Sequence, residues 1–222
     1  MASYDYDLIE NVNCSKELIL LDIKKREYLN ITLKGSGQNK LLVIMMNPSE
    51  ADEESSDETI NKIVHYFGSK QNKNTQGIKN ILVVNLFPIC CGKSKELNLN
   101  IEKIINSTNG NNILIEMLEK NRKEIEKRII DCNYIILGWG NSPDNFHETT
   151  FHREIIHTID TIKKYKKNEI YIFHVKNTRA NARRVSSENE LTDRKNPVHI
   201  SNGNIIKLLK IKIDNLYRII LC

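Results

Sequence analysis

The feature that most constrains this chain is an alternation of short apolar runs with segments of helical periodicity. Four apolar runs have the length of a buried β-strand, and they lie at residues 41–46, 81–87, 134–137 and 170–173. Uninterrupted runs of this kind are typical of strands covered on both faces, as in a parallel sheet. Because strands that alternate with helices build such sheets, the pattern predicts a three-layer α/β/α fold with a mainly parallel central sheet.

Helical patterns occupy the intervals between the runs. The apolar residues from Ile60 to Phe67 recur at i, i+3, i+4 and i+7, which indicates an amphipathic helix. Ser55 and Glu58 have the spacing of a capping box at its start. Further helices are predicted at about 111–130, 151–162 and 205–209. Two N-terminal strands are predicted at 17–23 and 28–33, with the turn between them at 24–26, and a last strand at 216–221.

The length of 222 residues is that of one large domain, so we interpret residues 1–222 as a single α/β domain. Residues 1–40 are a predicted N-terminal hairpin extension of that domain. Residues 175–195 are a predicted basic insertion loop. Long polar loops inside a compact domain are usually functional or disordered.

The net charge and the cysteine content restrict the binding partners and the cellular compartment that we predict. The formal net charge of +5 permits an anionic partner, and we predict a nucleic acid or a nucleotide. The five cysteines include no C-x-x-C pair, which is typical of reduced thiols and predicts a cytoplasmic protein. No apolar run reaches the roughly 20 residues that a membrane span needs, so no membrane association is expected. No phosphate-loop motif is present, and the three histidines His147, His152 and His157 have a weak spacing for a metal site, so we expect neither a cofactor nor a metal.

Polar segments follow three of the four apolar runs. They lie at residues 47–52, 85–88 and 138–141. Because ligands bind outside the carboxyl ends of parallel strands, we expect these segments to form one site. A structural explanation stands beside this one, since Asn and Pro make turns and Ser caps helices.

Each candidate side chain likewise has a functional and a structural interpretation. Asp52 is either an acid/base group or part of a solvated acidic helix start. Asn85 either reads the edge of a nucleobase or hydrogen-bonds to the backbone. Phe87 and Trp139 either stack on a base or lie in the core. The basic residues of 175–195 either contact phosphates or form a solvated loop.

Several motifs resemble an uncharacterised bacterial and phage family. That family has N-P-S-T-A-D after a strand and D-x-T-I at a helix start, and this chain has NPSEAD at 47–52 and DETI at 57–60. The family's V-N-L-F strand, W-G strand end and C-terminal H-P-L-Y-L resemble residues 84–87, 139–140 and 196–200. The resemblance spans residues 41–201 and brings no settled activity with it.

A more distant resemblance is to the uracil-DNA glycosylase superfamily, in its mismatch-specific branch. That branch has G-I-N-P-G after its first strand and N-P-S-G-L-S near its C-terminus. This chain has NP at 47–48 and NPVHIS at 196–201, in the same order, although Ser49 replaces the motif's second glycine. The resemblance implies a uracil-DNA-glycosylase-like fold with a base pocket at the carboxyl ends of the strands, where Asn85 reads the base.

On this basis we hypothesise a nucleobase-recognising protein that acts as an N-glycosidase on DNA or a nucleotide. The reaction passes through an oxocarbenium-like transition state and releases an anionic base, so the site must stabilise developing charge. The residues assigned to catalysis are Asn47, Asp52, Asn196 and His199. The residues assigned to substrate binding are Pro48, Ser49, Asn85, Phe87, Trp139 and Asn141, and those assigned to phosphate binding are Arg179, Arg183 and Arg184.

The alternative is a non-catalytic nucleotide-binding or nucleic-acid-binding protein of the same fold. The side chain of Asn47 is an amide, which can position water but cannot act as a base. That property favours the alternative, which binding without turnover would distinguish from an enzyme.

Overall fold

In the residues that the structure describes, the apolar runs form the central strands of a nine-stranded sheet. The computed structural model describes residues 2–20, 22–69, 76–165, 169–177, 188–189 and 191–222. The strands are β1 Ile9–Leu20, β2 Ile23–Leu33, β3 Asn39–Met45, β4 Ile78–Asn85, β5 Tyr134–Leu137, β6 Ile170–Asn177, β7 Glu188–Asn189, β8 Gly203–Ile213 and β9 Ile219–Leu221. The helices are α1 Glu58–Gly68, α2 Leu97–Ile105, α3 Gly110–Asp131 and α4 Glu148–Tyr165.

The sheet is mixed in direction. Its strand order is β1-β2-β4-β3-β5-β6-β8-β9, and β7 pairs with β6 outside this path. The four central strands β4, β3, β5 and β6 are parallel, whereas the pairings that flank them are antiparallel. The predicted α/β class is confirmed. The prediction of a mainly parallel sheet is wrong for the sheet as a whole, because hairpin-like pairings extend it on both sides.

The two faces of the sheet bury separate apolar clusters. Leu42 and Ile44 of β3 face the cluster that contains the buried residues of α2, α3 and α4. Leu41 and Val43 face the opposite cluster, which contains the buried residues of α1. Side chains alternate between the faces of a strand, so the unbroken apolar run reflects burial on both sides. The arrangement has the three layers that the sequence predicts.

Helices α1, α3 and α4 lie where the periodicity predicts them, but three local predictions are wrong. Residues 205–209 belong to β8 rather than to a helix, because their backbone pairs with β6. The start of α1 is capped by Asp57, whose Oδ1 accepts the Ile60 N–H (2.7 Å), and not by Ser55. The hairpin turn precedes residue 23, so residues 24–26 lie within β2.

The predicted loop 175–195 is partly strand. Strand β6 continues to Asn177, and β7 pairs with it through Val175 opposite Asn189. Residues 178–187 and 190 lie outside the described residues. In the part of the chain that the structure describes, none of the helices combines the length and the apolar character needed to cross a membrane.

The junction between α2 and α3 yields a prediction for stability. A Cβ added at Gly110 would lie 1.8 Å from the backbone oxygen of Ile104, whereas one added at Gly92 would have its nearest contact at 3.9 Å. We expect Gly110→Ala to lower the free energy of unfolding by about 1–3 kcal/mol, since backbone must move. Gly92→Ala should change it by less than about 0.5 kcal/mol. Urea unfolding measures both, and equal stabilities would contradict the tight junction.

Candidate functional site

The segments that follow the parallel strands meet at one edge of the sheet, as the sequence predicts. Gly138 N–H, just after β5, donates to Ile44 O of β3 (2.9 Å). Gly140 N–H donates to Pro197 O (3.0 Å), which brings the 196–199 segment to the same edge. Gly140 has a φ of 74°, and a Cβ there would lie 3.1 Å from the Cβ of His199. The close approach and the left-handed backbone both favour glycine at this position.

Asn85 ends β4 on the face of the sheet that α1 covers. It lies beside Met45 of β3 and two residues after Val83, and both of these belong to the α1-side cluster. The Asn85 side chain is buried, and its Nδ2 has no hydrogen-bond partner among the described residues. Its backbone oxygen, by contrast, accepts the Asn121 Nδ2 (2.9 Å). A buried amide donor without a partner is uncommon, because its desolvation is uncompensated.

Arg26 is a site residue that the sequence analysis did not select. The pairing of Leu29 with Val83 sets the register of β2 against β4, and this register places Arg26 level with the residues just after Asn85. Its backbone N–H donates to Pro88 O (2.8 Å). The side chain is 1% exposed, although arginine is rarely buried completely. The sequence analysis missed Arg26 because it predicted a turn at 24–26, and basic residues in a turn are ordinarily solvated.

The Arg26 guanidinium has few partners for a buried charge. Its Nη1 donates to the backbone oxygen of Ala51 (2.5 Å), and its Nε has no partner among the described residues. Desolvation by burial lowers the pKa of Arg26, and the negative charge of Asp57 opposes this shift.

Ser49 and Asp57 join the strand-end loop to the start of α1. The Ser49 hydroxyl donates to Asp57 Oδ2, and Ser49 Oγ accepts the Ala51 N–H (3.2 Å). The other oxygen of Asp57 caps the helix at Ile60. Both carboxylate oxygens of Asp57 are therefore engaged. Asp57 thus connects the strand-end loop to the helix that follows it.

Asp52, which we assigned to catalysis, has structural partners instead. It forms an ion pair with Lys16 (3.1 Å), and its Oδ1 accepts the backbone N–H groups of Ser55 (3.0 Å) and Glu54 (3.2 Å). Partial burial raises the pKa of Asp52, but these hydrogen bonds and Lys16 outweigh burial and lower it. A carboxylate stabilised in its charged form is a weak general base.

Asn47 and Pro48 form the turn after β3. Asn47 is half-buried, and its Nδ2 donates to Pro48 O (3.1 Å). That oxygen also accepts the Cys91 N–H (2.9 Å), which fixes the turn against the segment after β4. Asn47 thus lies at the predicted edge, beside the strand that carries Asn85.

The side chains of Asn141 and Asn196 hydrogen-bond to each other, and that of Asn141 also bonds residues 192 and 193. Asn141 Oδ1 accepts the Thr192 hydroxyl (2.7 Å) and the Asn196 Nδ2 (3.2 Å), while Asn141 Nδ2 donates to Asp193 (2.9 Å). These hydrogen bonds engage side-chain atoms of Asn141 and Asn196 that would otherwise be free to contact a ligand. The two residues therefore shape one wall of the edge in this conformation.

His199 is half-buried at the end of that wall. Its Nδ1 accepts the Ser201 N–H (3.2 Å) and contacts the Ser201 hydroxyl (2.8 Å), which assigns the ring proton to Nε2. Desolvation of the ring lowers the pKa of His199 to about 4, although the Asp57 carboxylate acts in the opposite direction. The imidazole is thus neutral at pH 7 and carries a donor on Nε2.

The two predicted stacking residues lie in the core. Phe87 and Trp139 are both 0% exposed, and Phe87 packs against the rings of Phe146 and Phe151. Neither ring presents a face to solvent, so the geometry gives base stacking no support. Arg179, Arg183 and Arg184 lie outside the described residues. Among the residues that are described, no group of three or more His, Cys, Asp or Glu could hold a metal ion.

The neutral His199 predicts a specific titration. The ring should titrate well below the ordinary value of 6.5, near pH 4, with its proton on Nε2 at neutral pH. NMR of the ring nitrogens measures both properties. Because the unfolded chain binds this proton from about pH 6.5 downwards, the free energy of unfolding should fall between pH 6.5 and pH 4.

The control is His199→Gln, which should lose less stability over the same interval. Ser201→Ala should keep the tautomer, since the backbone N–H remains. Titration of the wild-type ring at or above pH 6.5 would contradict the desolvated environment.

Comparison with known proteins identifies a family but no characterised relative. Neither the curated proteins nor the solved structures contain a match to the chain. One family model, described as "Protein of unknown function (DUF1643)", matches residues 26–199, which is most of the chain. The matched segment runs from Arg26 to His199 and includes the strand-end edge between them. The predicted resemblance to an uncharacterised family is confirmed, and the chain belongs to DUF1643, a family of proteins of unknown function.

Proposed function

We propose that this protein recognises a nucleobase at the carboxyl edge of its parallel strands. The observation that carries the proposal is the buried Asn85 amide, whose Nδ2 has no partner among the described residues. A carboxamide offers a donor and an acceptor side by side, which suits the edge of a base. The resemblance to the uracil-DNA glycosylase superfamily implies the same role for a strand-end Asn.

The reaction that we propose is hydrolysis of an N-glycosidic bond in DNA or a nucleotide. The leaving base carries developing negative charge, and a neutral imidazole with a proton on Nε2 can donate to it. His199 is the candidate donor, and Asn47 is the candidate for positioning water. Asp57 replaces Asp52 as the carboxylate that stabilises the positive sugar, because its charge acts on both Arg26 and His199.

Binding without catalysis is the second candidate function. Asp57 bonds Ser49 and Ile60, and Asp52 bonds Lys16 and the backbone. Neither carboxylate is therefore available, in this conformation, to take a proton from water. A pocket with donors but without an available base can hold a nucleotide without cleaving it.

The Asn85 proposal predicts an unusual effect on stability. Asn85→Leu removes no side-chain hydrogen bond that the structure records, so the free energy of unfolding should stay the same or rise. The same variant should weaken nucleobase binding at least about tenfold. Asn121→Leu is the matched control, since it removes bonds to Asn85 O and Leu86 O and should destabilise by about 1–3 kcal/mol.

Thermal melts and isothermal titration with a panel of bases, nucleosides and nucleotides measure these effects. A strongly destabilised Asn85→Leu, or one that binds like the wild type, would show that Asn85 serves the fold instead.

Catalysis is tested on the same panel, extended to uracil-containing and damaged DNA. Chromatography of the products should detect free base, and His199→Gln should slow its release by about 100-fold or more. Ser201→Ala, which leaves the His199 N–H donor in place, should retain most of the activity. Tight binding without any release would favour the non-catalytic function, and neither binding nor release would refute both.

A further inference from the structure

Arg26 is buried beside the segment that follows β4, where its backbone N–H donates to Pro88 O (2.8 Å), three residues after Asn85. Strands β2 and β4 are neighbours, and β2 continues past this pairing so that Lys25 bridges to Ile89 beyond the end of β4. The Arg26 side chain reaches Ala51, which belongs to the same α1-side cluster as Val83 and Met45. Asn85 points to that face by strand alternation. Two buried donor groups thus lie near the same end of β4, on the α1 side of the sheet.

The charge of Arg26 is poorly neutralised by its surroundings. Burial is the largest influence on the pKa of Arg26, and the acidic groups near enough to oppose it are Cys90, Asp57, Cys14 and Tyr4. Burial raises the pKa of Cys90 to about 11, and it also raises the pKa of Cys14 and of Tyr4. These three groups are therefore neutral at pH 7. The remaining group of the four is the Asp57 carboxylate.

Asp57 does not bond the guanidinium directly. Its two oxygens bond the Ser49 hydroxyl and the Ile60 N–H. Arg26 itself has one recorded side-chain partner, the neutral backbone oxygen of Ala51, and its Nε has none. A buried cation that lacks a directly bonded anion is costly, because desolvation is not offset by pairing. Among the described residues, the fold therefore leaves the Arg26 guanidinium without a directly bonded anion.

We propose that Arg26 binds an anionic oxygen-bearing group of the ligand, while Asn85 reads the adjacent base. This inference rests on the proposed nucleobase recognition and names its substrate class as an anionic nucleotide or acidic base. The group is either a phosphate or a ring carboxylate, and both accept hydrogen bonds from a guanidinium in the same way. Neutral bases and nucleosides are then incomplete ligands, because they leave Arg26 without its anion.

The test compares ligands that differ only in the anionic group. One pair is a pyrimidine nucleoside and its 5′-monophosphate, and the other is uracil and 6-carboxyuracil. The anionic member of at least one pair should bind the wild-type chain about tenfold tighter or more. The phosphate pair and the carboxylate pair distinguish the two sources of the anion. Inorganic phosphate alone is a further ligand in the titration.

Variants assign the preference to Arg26. In the preferred pair, Arg26→Met should reduce the ratio of the affinities for the anionic and the neutral ligand to about one. The affinity for the neutral ligand should stay within about threefold of the wild-type value. Arg26→Lys keeps the charge and should retain part of the ratio. Asn85→Leu should weaken both members alike, because it removes base recognition and leaves the anion site.

The possible results separate this inference from the function on which it rests. Equal binding of charged and neutral ligands overturns the anion site and keeps nucleobase recognition. Binding of inorganic phosphate that depends on Arg26, without binding of any base, supports the anion site and refutes nucleobase recognition. Binding of none of these ligands refutes both. If Arg26→Met does not fold, the test rests on the wild-type chain and on Arg26→Lys. Affinity ratios near one between the charged and the neutral ligand then overturn the proposal.

Discussion

The parallel pairing of β3 with β4 on one side and β5 on the other is the constraint on which the site depends. Parallel strands end at the same edge of a sheet, so residues far apart in sequence meet wherever such strands stop. Asn47 follows β3, Asn85 ends β4, and the 138–141 turn follows β5. The turn then binds the 196–199 segment through Gly140, which adds His199 to the edge.

The chemistry of this edge is dominated by hydrogen-bond donors. The Asn85 Nδ2, the Arg26 guanidinium and the His199 Nε2 are all donor groups, while the carboxylates of Asp52 and Asp57 are bonded to other groups. A ligand rich in acceptors complements such a set. Nucleobase carbonyls, phosphates and carboxylates have this property, whereas cations do not. The donor excess is the property that the two proposals, base recognition and anion binding, have in common.

The same groups reduce the stability of the fold. The Asn85 Nδ2 loses hydration that no described residue replaces, and the buried Arg26 guanidinium has a neutral backbone oxygen in place of part of its water. The apolar residues of β3, β4 and β5 surround them on both faces of the sheet and supply the compensating burial. Residues whose removal improves stability and abolishes binding are characteristic of sites selected for a ligand.

Local patterns predicted much of the fold and part of the site. The central strands and helices α1, α3 and α4 followed from apolar periodicity, which depends only on neighbouring residues. The strand-end positions of Asn47 and Asn85 followed from the same runs. Helix α2 was not predicted, and 205–209 was assigned to a helix although its backbone pairs with β6 across a long sequence separation. Pairing partners of that kind leave no local pattern.

The sequence by itself determined the α/β class, the alternation of elements and the edge at which a site would form. Only the tertiary structure decided which polar residues remain without partners there. Asp52 and Asn141 proved to be engaged, Phe87 and Trp139 to be enclosed, and Arg26 to be buried. The physical reason is that hydrogen bonding and desolvation depend on three-dimensional neighbours, and β2, for example, meets β4 across about 50 residues of chain.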